Sequence, residues 1–338
     1  MVKGVWSMEQ TKQRVLMFCV SFFGYEKRIA DAIRDADYEV DLFDERPDNG
    51  FVAKTCVRYN IGVYRPAIRR HVESIIAANS DKDYQYVLVV KGEAINEDCV
   101  TLLRQAYPRA KFVLYLWDSV ANIPDCENRM KCYDRVLTFD SEDAEKYGIP
   151  MLSLPYDKNA AGYADGREYR YDVTFVGTAH SVRPRVVKQV QRWCEENGRT
   201  CFTYFYSPHM LVYLLNKLTN PDYKWISMKE VHFEPLSAEK MNEIYASSRC
   251  VMDIEHPKQS GATTRPIEML PMKKKVITTN PHVREFPFFN RNNFLVIDRN
   301  APELDPDFLE CPYIPVDDVI LEQYAPEQFA RAVLGVEE

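Results

Sequence analysis

The chain has 338 residues, 46% hydrophobic and 28% charged, the composition of a globular protein long enough for two cores. With 43 Lys and Arg against 50 Asp and Glu, the net charge of −7 argues against general nucleic-acid binding, which needs a basic footprint. The opening MVKGVWSMEQTKQR lacks the apolar region of a signal peptide, and no run reaches the roughly 20 apolar residues of a membrane span, so any membrane contact is expected from the surface.

In chain order, Arg14–Val20 (RVLMFCV) is a short apolar run of the kind that forms a buried parallel strand. Tyr25–Ala36 has helical spacing, with Ile29, Ala32, Ile33 and Ala36 on one face, and Tyr38–Phe43 alternates as a strand. Asp44–Arg65, with Pro47, Asp48, Asn49 and Gly50, reads as a long loop. Arg65–Asn79 is predicted as a helix, Tyr86–Val90 as a strand and Asn96–Ala106 as a helix capped by Asn96. Strands at Phe112–Trp117, Arg135–Phe139 and Met151–Leu154 follow, with a short helix capped by Ser141 between the last two. Strands alternating with helices of a dozen residues make βαβ units and a parallel sheet, whose ligand crevice lies beyond the strands' carboxyl ends. The polar residues there are Ser21 and Gly24, Glu45, Lys91 and Glu93, Asp118, and Asp140.

Residues 157–170, polar and with two glycines, read as a linker between domain 1–156 and a second domain, 171–320. The pattern then restarts. Tyr171–Val176 is a strand closed by Gly177-Thr178, followed by a helix over Arg185–Asn197, a strand over Thr200–Tyr206 and a helix over Pro208–Leu218. Val231–Phe233 is a short strand, Ser237–Ser247 a Ser-capped helix and Cys250–Ile254 a strand. Thr263–Met272 is a helix, and Lys275–Thr279 and Phe294–Ile297 are strands. The stretch 321–338 is a C-terminal tail with a helix over Pro326–Leu334.

The nine cysteines are scattered, with no CxxC, so no zinc site is expected; Cys19 and Cys250 lie in strand-like runs as core thiols, in keeping with a reducing cytoplasm. The most informative stretch is DIEHPKQSGATTRPIEMLPMKKKVITTN, Asp253–Asn280, which reads strand, polar loop, helix, strand. Ser260, Gly261, Ala262 and Thr263 would bring backbone N–H groups and a helix N-terminus to one point, a setting that attracts phosphate. Arg265 in the first turn could pair with a diphosphate, and Glu268, one turn on, could accept both hydroxyls of a ribose. A simple cap followed by a surface Arg265–Glu268 ion pair fits the same spacing.

This second half resembles the C-terminal domain of GT-B glycosyltransferases. YDVTFVGT resembles their first strand and glycine turn, VHFEPLSAEKMNEIYASSRCVMDIE their base-binding turn, helix and strand, and TTRPIEMLPMKKKVITTN their donor-site helix and next strand. The spacing of Arg265 and Glu268 is similar to that of the spore maturation protein B-like group, bacterial proteins akin to family 1 and family 4 glycosyltransferases, and the first half fits down to MLSLPY. The resemblance implies an α/β fold of two Rossmann-like domains facing a central cleft. It implies a nucleotide-diphosphate sugar as co-substrate, with Glu268 on the ribose and Gly261, Ala262 and Thr263 over the diphosphate. Gly177 and Thr178 match the glycine turn, Arg183 and Arg185 would steady the leaving diphosphate, and His232 and Phe233 fall near the nucleobase. One departure stands out: many retaining family 4 enzymes carry two glutamates eight positions apart, and here the earlier position is Ser260.

No Asp-x-Asp stands directly after a predicted strand, so a leaving diphosphate is expected to be met by Arg side chains rather than by a metal. An inverting transfer needs a base from the first domain. Asp118, after LYLW, leads, with Glu93 and Asp140 beside it; a helix cap or a surface acid is the competing role for each. The basic stretch from Asp44 to Arg70, with Arg46, Lys54, Arg58, Arg65, Arg69 and Arg70, suits either a solvated face or an acidic glycan or lipid-linked acceptor. The expected activity is hexosyl transfer in bacterial surface polysaccharide assembly, in the cytoplasm or at the inner face of the membrane. An epimerase or hydrolase on the same scaffold and a non-catalytic nucleotide-sugar-binding protein are the alternatives. A dinucleotide oxidoreductase is disfavoured, since the first strand ends in Ser21-Phe22-Phe23-Gly24 and not in G-x-G-x-x-G.

Overall fold

A computed structural model describes residues 12–164, 168–255, 261 and 263–336 of the chain. It divides into two compact units, one running to Leu152 and rejoined by the chain from Pro326 onward, the other spanning Ser153–Ala325.

The first unit is built on β1 (Arg14–Cys19), α1 (Tyr25–Asp35), β2 (Glu39–Phe43), α2 (Phe51–Arg58), α3 (Arg65–Ala78), β3 (Tyr86–Val90) and α4 (Glu97–Ala106). β4 (Lys111–Leu116), α5 (Cys126–Met130), β5 (Arg135–Thr138) and α6 (Ser141–Tyr147) complete its run. Among the described residues its strands form one parallel sheet in the order β2-β1-β3-β4-β5. Val15 to Cys19 of β1 and Val87 to Val90 of β3 are all buried, as expected of central strands covered on both faces. β2 lies at the sheet edge and is only half-buried.

The second unit continues with β6 (Tyr171–Thr178), α7 (Arg183–Glu196), β7 (Cys201–Tyr206), α8 (Met210–Thr219), β8 (Val231–His232), α9 (Ala238–Ala246) and β9 (Ser248–Asp253). α10 (Thr264–Met269), β10 (Lys275–Thr278), β11 (Phe294–Val296), α11 (Pro306–Glu310) and α12 (Asp318–Glu322) close it. Its described strands are again all parallel, in the order β11-β10-β9-β6-β7-β8. The last helix, α13 (Pro326–Leu334), returns to the first unit and packs beside α1, with Phe329 edge-on to Tyr115 at 5.2 Å. Among the described residues, no helix is long and apolar enough to cross a membrane.

Several expectations are corrected. The stretch Asp44–Arg65 is not a continuous loop: it contains α2 and a 3-10 turn, Gly62–Tyr64. The Asp48 carboxylate starts this structure by accepting from the Gly50 N–H at 2.7 Å and the Tyr64 hydroxyl at 2.8 Å, and Ala53 and Val57, one turn apart, are buried. α6 is capped by Asp140, not Ser141. The strand expected at Met151–Leu154 is reduced to a single bridge from Met151 to Thr138. The helix expected over Thr263–Met272 ends at Met269. Within 157–170, read as a linker, Lys158–Tyr163 form a 3-10 helix whose Ala160 is buried in the second unit's core.

Candidate functional site

In each sheet the strand order reverses once, and at that reversal the loops leave the carboxyl ends in opposite directions and open a crevice. In the second sheet β6 leads to β7 and β8 on one side, while β9, β10 and β11 extend the other. The reversal therefore lies between β6 and β9. Thr178 ends β6, Asp253 ends β9, and Thr279-Asn280 follow β10.

Arg183, the first residue of α7, joins the two strand ends. Its Nε donates to the Ile254 carbonyl at 2.6 Å and its Nη1 to the Thr178 carbonyl at 3.4 Å. Gly177 lies close against Phe175: a Cβ there would stand 3.0 Å from that ring, while Arg183 Nη1, at 3.6 Å, would be in ordinary contact. Burial lowers the Arg183 pKa to about 10; Asp253 opposes that shift, neighbouring Arg265 adds to it, and Glu255 opposes it. Arg183 and Arg265 thus place two cations close enough to feel each other.

The acids beneath them are fixed. Asp253 is buried, and its carboxylate accepts from the hydroxyls of Thr263 (2.7 Å) and Thr278 (3.2 Å). Burial, then the Glu255 charge, push its pKa up to about 6. Glu255 is buried too, ion-paired with Arg299 and hydrogen-bonded by the Thr279 hydroxyl. The Thr263 hydroxyl therefore ties the start of α10 to β9 rather than capping the helix. Asn280 Nδ2 donates to the Gly261 carbonyl at 3.1 Å and fastens that segment to the end of β10. On α10, the Arg265 guanidinium lies 5.0 Å from the Tyr245 ring centre, and Glu268 is buried.

The other donor-side expectations separate. Ser260 and Ala262 lie outside the described residues. Arg185 is not a partner of Arg183 at the crevice: its Nε donates to Asp222 at 2.9 Å and its Nη1 to the Arg299 carbonyl at 2.8 Å, so its charge holds the unit's own loops. His232 is exposed at the end of β8, stacked on Tyr204 at 4.0 Å with the rings 5° from parallel. β8 is two strands from β6, a spacing of about 10 Å. Phe233 is half-buried against the core.

In the first sheet the reversal lies between β1 and β3. Lys91 and Gly92, just after β3, take successive left-handed conformations (φ 74° and 70°), which turns the chain sharply at the crevice. The Lys91 ammonium stands 3.0 Å from the Glu93 carboxylate and 3.7 Å from that of Asp118, so these two sequence candidates converge on one lysine. Asp118 also accepts from the Ser119 N–H (3.1 Å) and Asn122 Nδ2 (3.0 Å). Asp140 caps α6: it is buried, and accepts from the Asp143 N–H (3.2 Å) and the Ser119 hydroxyl (2.9 Å).

Two groups beneath this crevice carried no role in the sequence reading. Glu45 is fully buried; its Oε1 accepts from the Glu93 N–H at 3.1 Å, and burial, then the Glu93 charge, push its pKa up to about 7. Arg129 Nη1 donates to the Gly92 and Glu93 carbonyls, both at 2.6 Å. Their position after a strand was the signal for Glu45; nothing in the sequence pattern marked Arg129. Arg299 was also missed, because it lies beyond the last strand with no motif around it. Among the described residues, no group of three or more His, Cys, Asp or Glu side chains is arranged to hold a metal ion.

No family model matches the sequence, and no curated protein does. Solved structures do match in fold. A glycosyltransferase from Rickettsia africae ESF-5 aligns with a TM-score of 0.60 at 11% identity, covering 96% of this chain and 98% of that one. HepE of Anabaena, solved with UDP-glucose, aligns at 0.57 and 13% identity over 95% of each chain. The UDP-GlcNAc 2-epimerase of Methanocaldococcus jannaschii aligns at 0.51 and 11% identity, over 95% of this chain and 99% of that one. The fold is α/β of the GT-B type, and its structural neighbours include glycosyltransferases and a nucleotide-sugar epimerase.

Proposed function

We propose that this chain is a glycosyltransferase that takes a sugar from a nucleotide-diphosphate donor bound at the β6–β9 reversal of the second unit. The observation that carries the reading is Arg183, bridging the ends of β6 and β9. A leaving diphosphate needs cations preorganised where its charge develops, at the carboxyl ends of the strands. In this reading Gly261 and Thr263 lie over the diphosphate, Glu268 accepts the ribose hydroxyls and the surface around His232 takes the base. Arg183 and Arg265 do the work a metal does elsewhere. Asp118 or Glu93, both beside Lys91, is the base that takes the acceptor's proton. The finer placement is the spore maturation protein B-like group, acting in the bacterial cytoplasm or at the inner membrane face on a glycan or lipid-linked acceptor of surface polysaccharide assembly.

The epimerase neighbour makes isomerisation or hydrolysis of the nucleotide sugar the second reading. Product analysis separates the two. The chain is incubated with nucleotide sugars, with and without a bacterial envelope glycolipid fraction and with or without EDTA. Acceptor-dependent release of nucleoside diphosphate, insensitive to EDTA, is the expected result. Free sugar or an isomerised donor formed without acceptor assigns the second reading instead.

A further inference from the structure

We infer that the face formed by α2, the turn Gly62–Tyr64 and the start of α3 docks the protein on an anionic lipid bilayer. From Asn49 to Val72 the sequence holds five Lys and Arg residues and no Asp or Glu, in a chain of net charge −7. All five, Lys54, Arg58, Arg65, Arg69 and Arg70, are exposed. The flanking acids are turned to local partners: Asp48 holds Gly50 and Tyr64, and Glu73 pairs with Arg69 at 2.9 Å.

Large apolar side chains stand between these cations. Val52 is 68% exposed, Tyr59 70% and Val63 83%. The buried side of α2 is already supplied by Ala53 and Val57, so these three are surplus to the unit's core. Exposed apolar groups set among cations on a short helical element are the chemistry of an interfacial anchor: the apolar groups enter the acyl boundary and the cations meet phosphate head groups. The charge argues against the rival occupants. A symmetric dimer through this face would set Lys54, Arg58, Arg65 and Arg70 against the same four cations. On an anionic membrane, by contrast, the acidic remainder of the chain is repelled and this face is turned inward.

The same segment reaches the first unit's crevice. Cys56, Asn60, Ile61 and Arg65 line one recess with Glu93 and Arg129. The inference goes beyond sugar transfer and does not rest on it, because vesicle binding is read without donor or acceptor.

The test is flotation of the full chain with vesicles of phosphatidylcholine alone or with about 30% phosphatidylglycerol. Binding to the anionic vesicles only, weakened by salt, is expected. Lys54→Glu with Arg58→Glu should lower partition roughly tenfold or more, and Val63→Ser with Tyr59→Ser several-fold with all charges retained. Melting temperature and nucleotide binding, measured on the same variants, should be unchanged, so that misfolding and loss of the donor site are read separately. A control lies on the second unit, where Leu215 and Leu218 of α8 are 61% and 86% exposed. Leu215→Ser with Leu218→Ser should leave flotation unaltered. No flotation by the wild type, equal binding to neutral vesicles, or loss through the α8 variant and not the α2 variants would overturn the inference. So would a dimer in sedimentation velocity that the Lys54 and Arg58 variant dissociates.

Discussion

At the scale of single residues, the two crevices use buried charge differently. Glu45 is a carboxyl group sealed beneath the Lys91–Glu93 turn, with its pKa raised from 4.5 to about 7. A raised carboxyl pKa means the folded state holds a proton that the unfolded state has released. Stability is then greatest below about pH 4.5 for this group, and falls as pH rises towards 7, by about 3 kcal/mol in all. Asp253 contributes in the same sense between about 4 and 6. Glu45→Gln keeps the oxygen that accepts from Glu93 and removes the titration. Thermal unfolding across pH should show the variant more stable than wild type at pH 8 and with a flatter profile between about pH 4.5 and 7; equal destabilisation at every pH would contradict the assignment. The arginines separate as cleanly. Arg185→Ala breaks bonds to Asp222 and the Arg299 carbonyl, and should lower stability by about 1–3 kcal/mol. Arg183→Ala should weaken nucleotide affinity about tenfold or more, as expected for a charge-assisted contact to a diphosphate. Calorimetric binding to both variants checks this, and equal affinities would remove Arg183 from the donor site.

At the scale of elements, the parallel strands were legible because they are short apolar runs at intervals that only βαβ units explain. β1, β3 and β4 lie within a residue or two of where hydrophobic runs put them. α2 was not legible. Its eight residues follow a cluster of turn-forming residues, and only the tertiary burial of Ala53 and Val57 reveals the helix. The roles of Asp118, Glu93 and Asp140 were equally hidden. All three follow strands, and only the hydrogen bonds separate a helix cap from two acids sharing a lysine. α13 was read as a helix from its spacing, but its partner was not: Phe329, Ala330, Val333 and Leu334 are buried on the first unit, against Tyr115 and α1 far upstream in sequence. Phe329 fills the space over Tyr115, so Phe329→Ala should cost about 3–5 kcal/mol in scanning calorimetry. A loss under about 1 kcal/mol would mean that α13 is a loosely held tail.

At the scale of the whole molecule, one architecture is used twice, and each copy concentrates its polar groups where its strand order reverses. The copies differ in what they hold there. The second holds Arg183 across its strand ends, where the proposed function puts a diphosphate; the first holds two carboxylates about Lys91, where it puts the base. Under the docking proposed above, net negative charge with a basic, apolar face would orient the molecule at an anionic surface as well. In the proposed function the second copy holds a nucleotide-diphosphate donor through Glu268 and the arginines. Isothermal titration of the full chain, wild type and Glu268→Ala, against a panel of nucleoside diphosphates and their sugar conjugates tests it most directly. Saturable binding of one base class by the wild type, at least tenfold weaker in the variant, a loss of about 1.4 kcal/mol or more, is expected. Equal binding by both proteins, or none by the wild type across the panel, would contradict it.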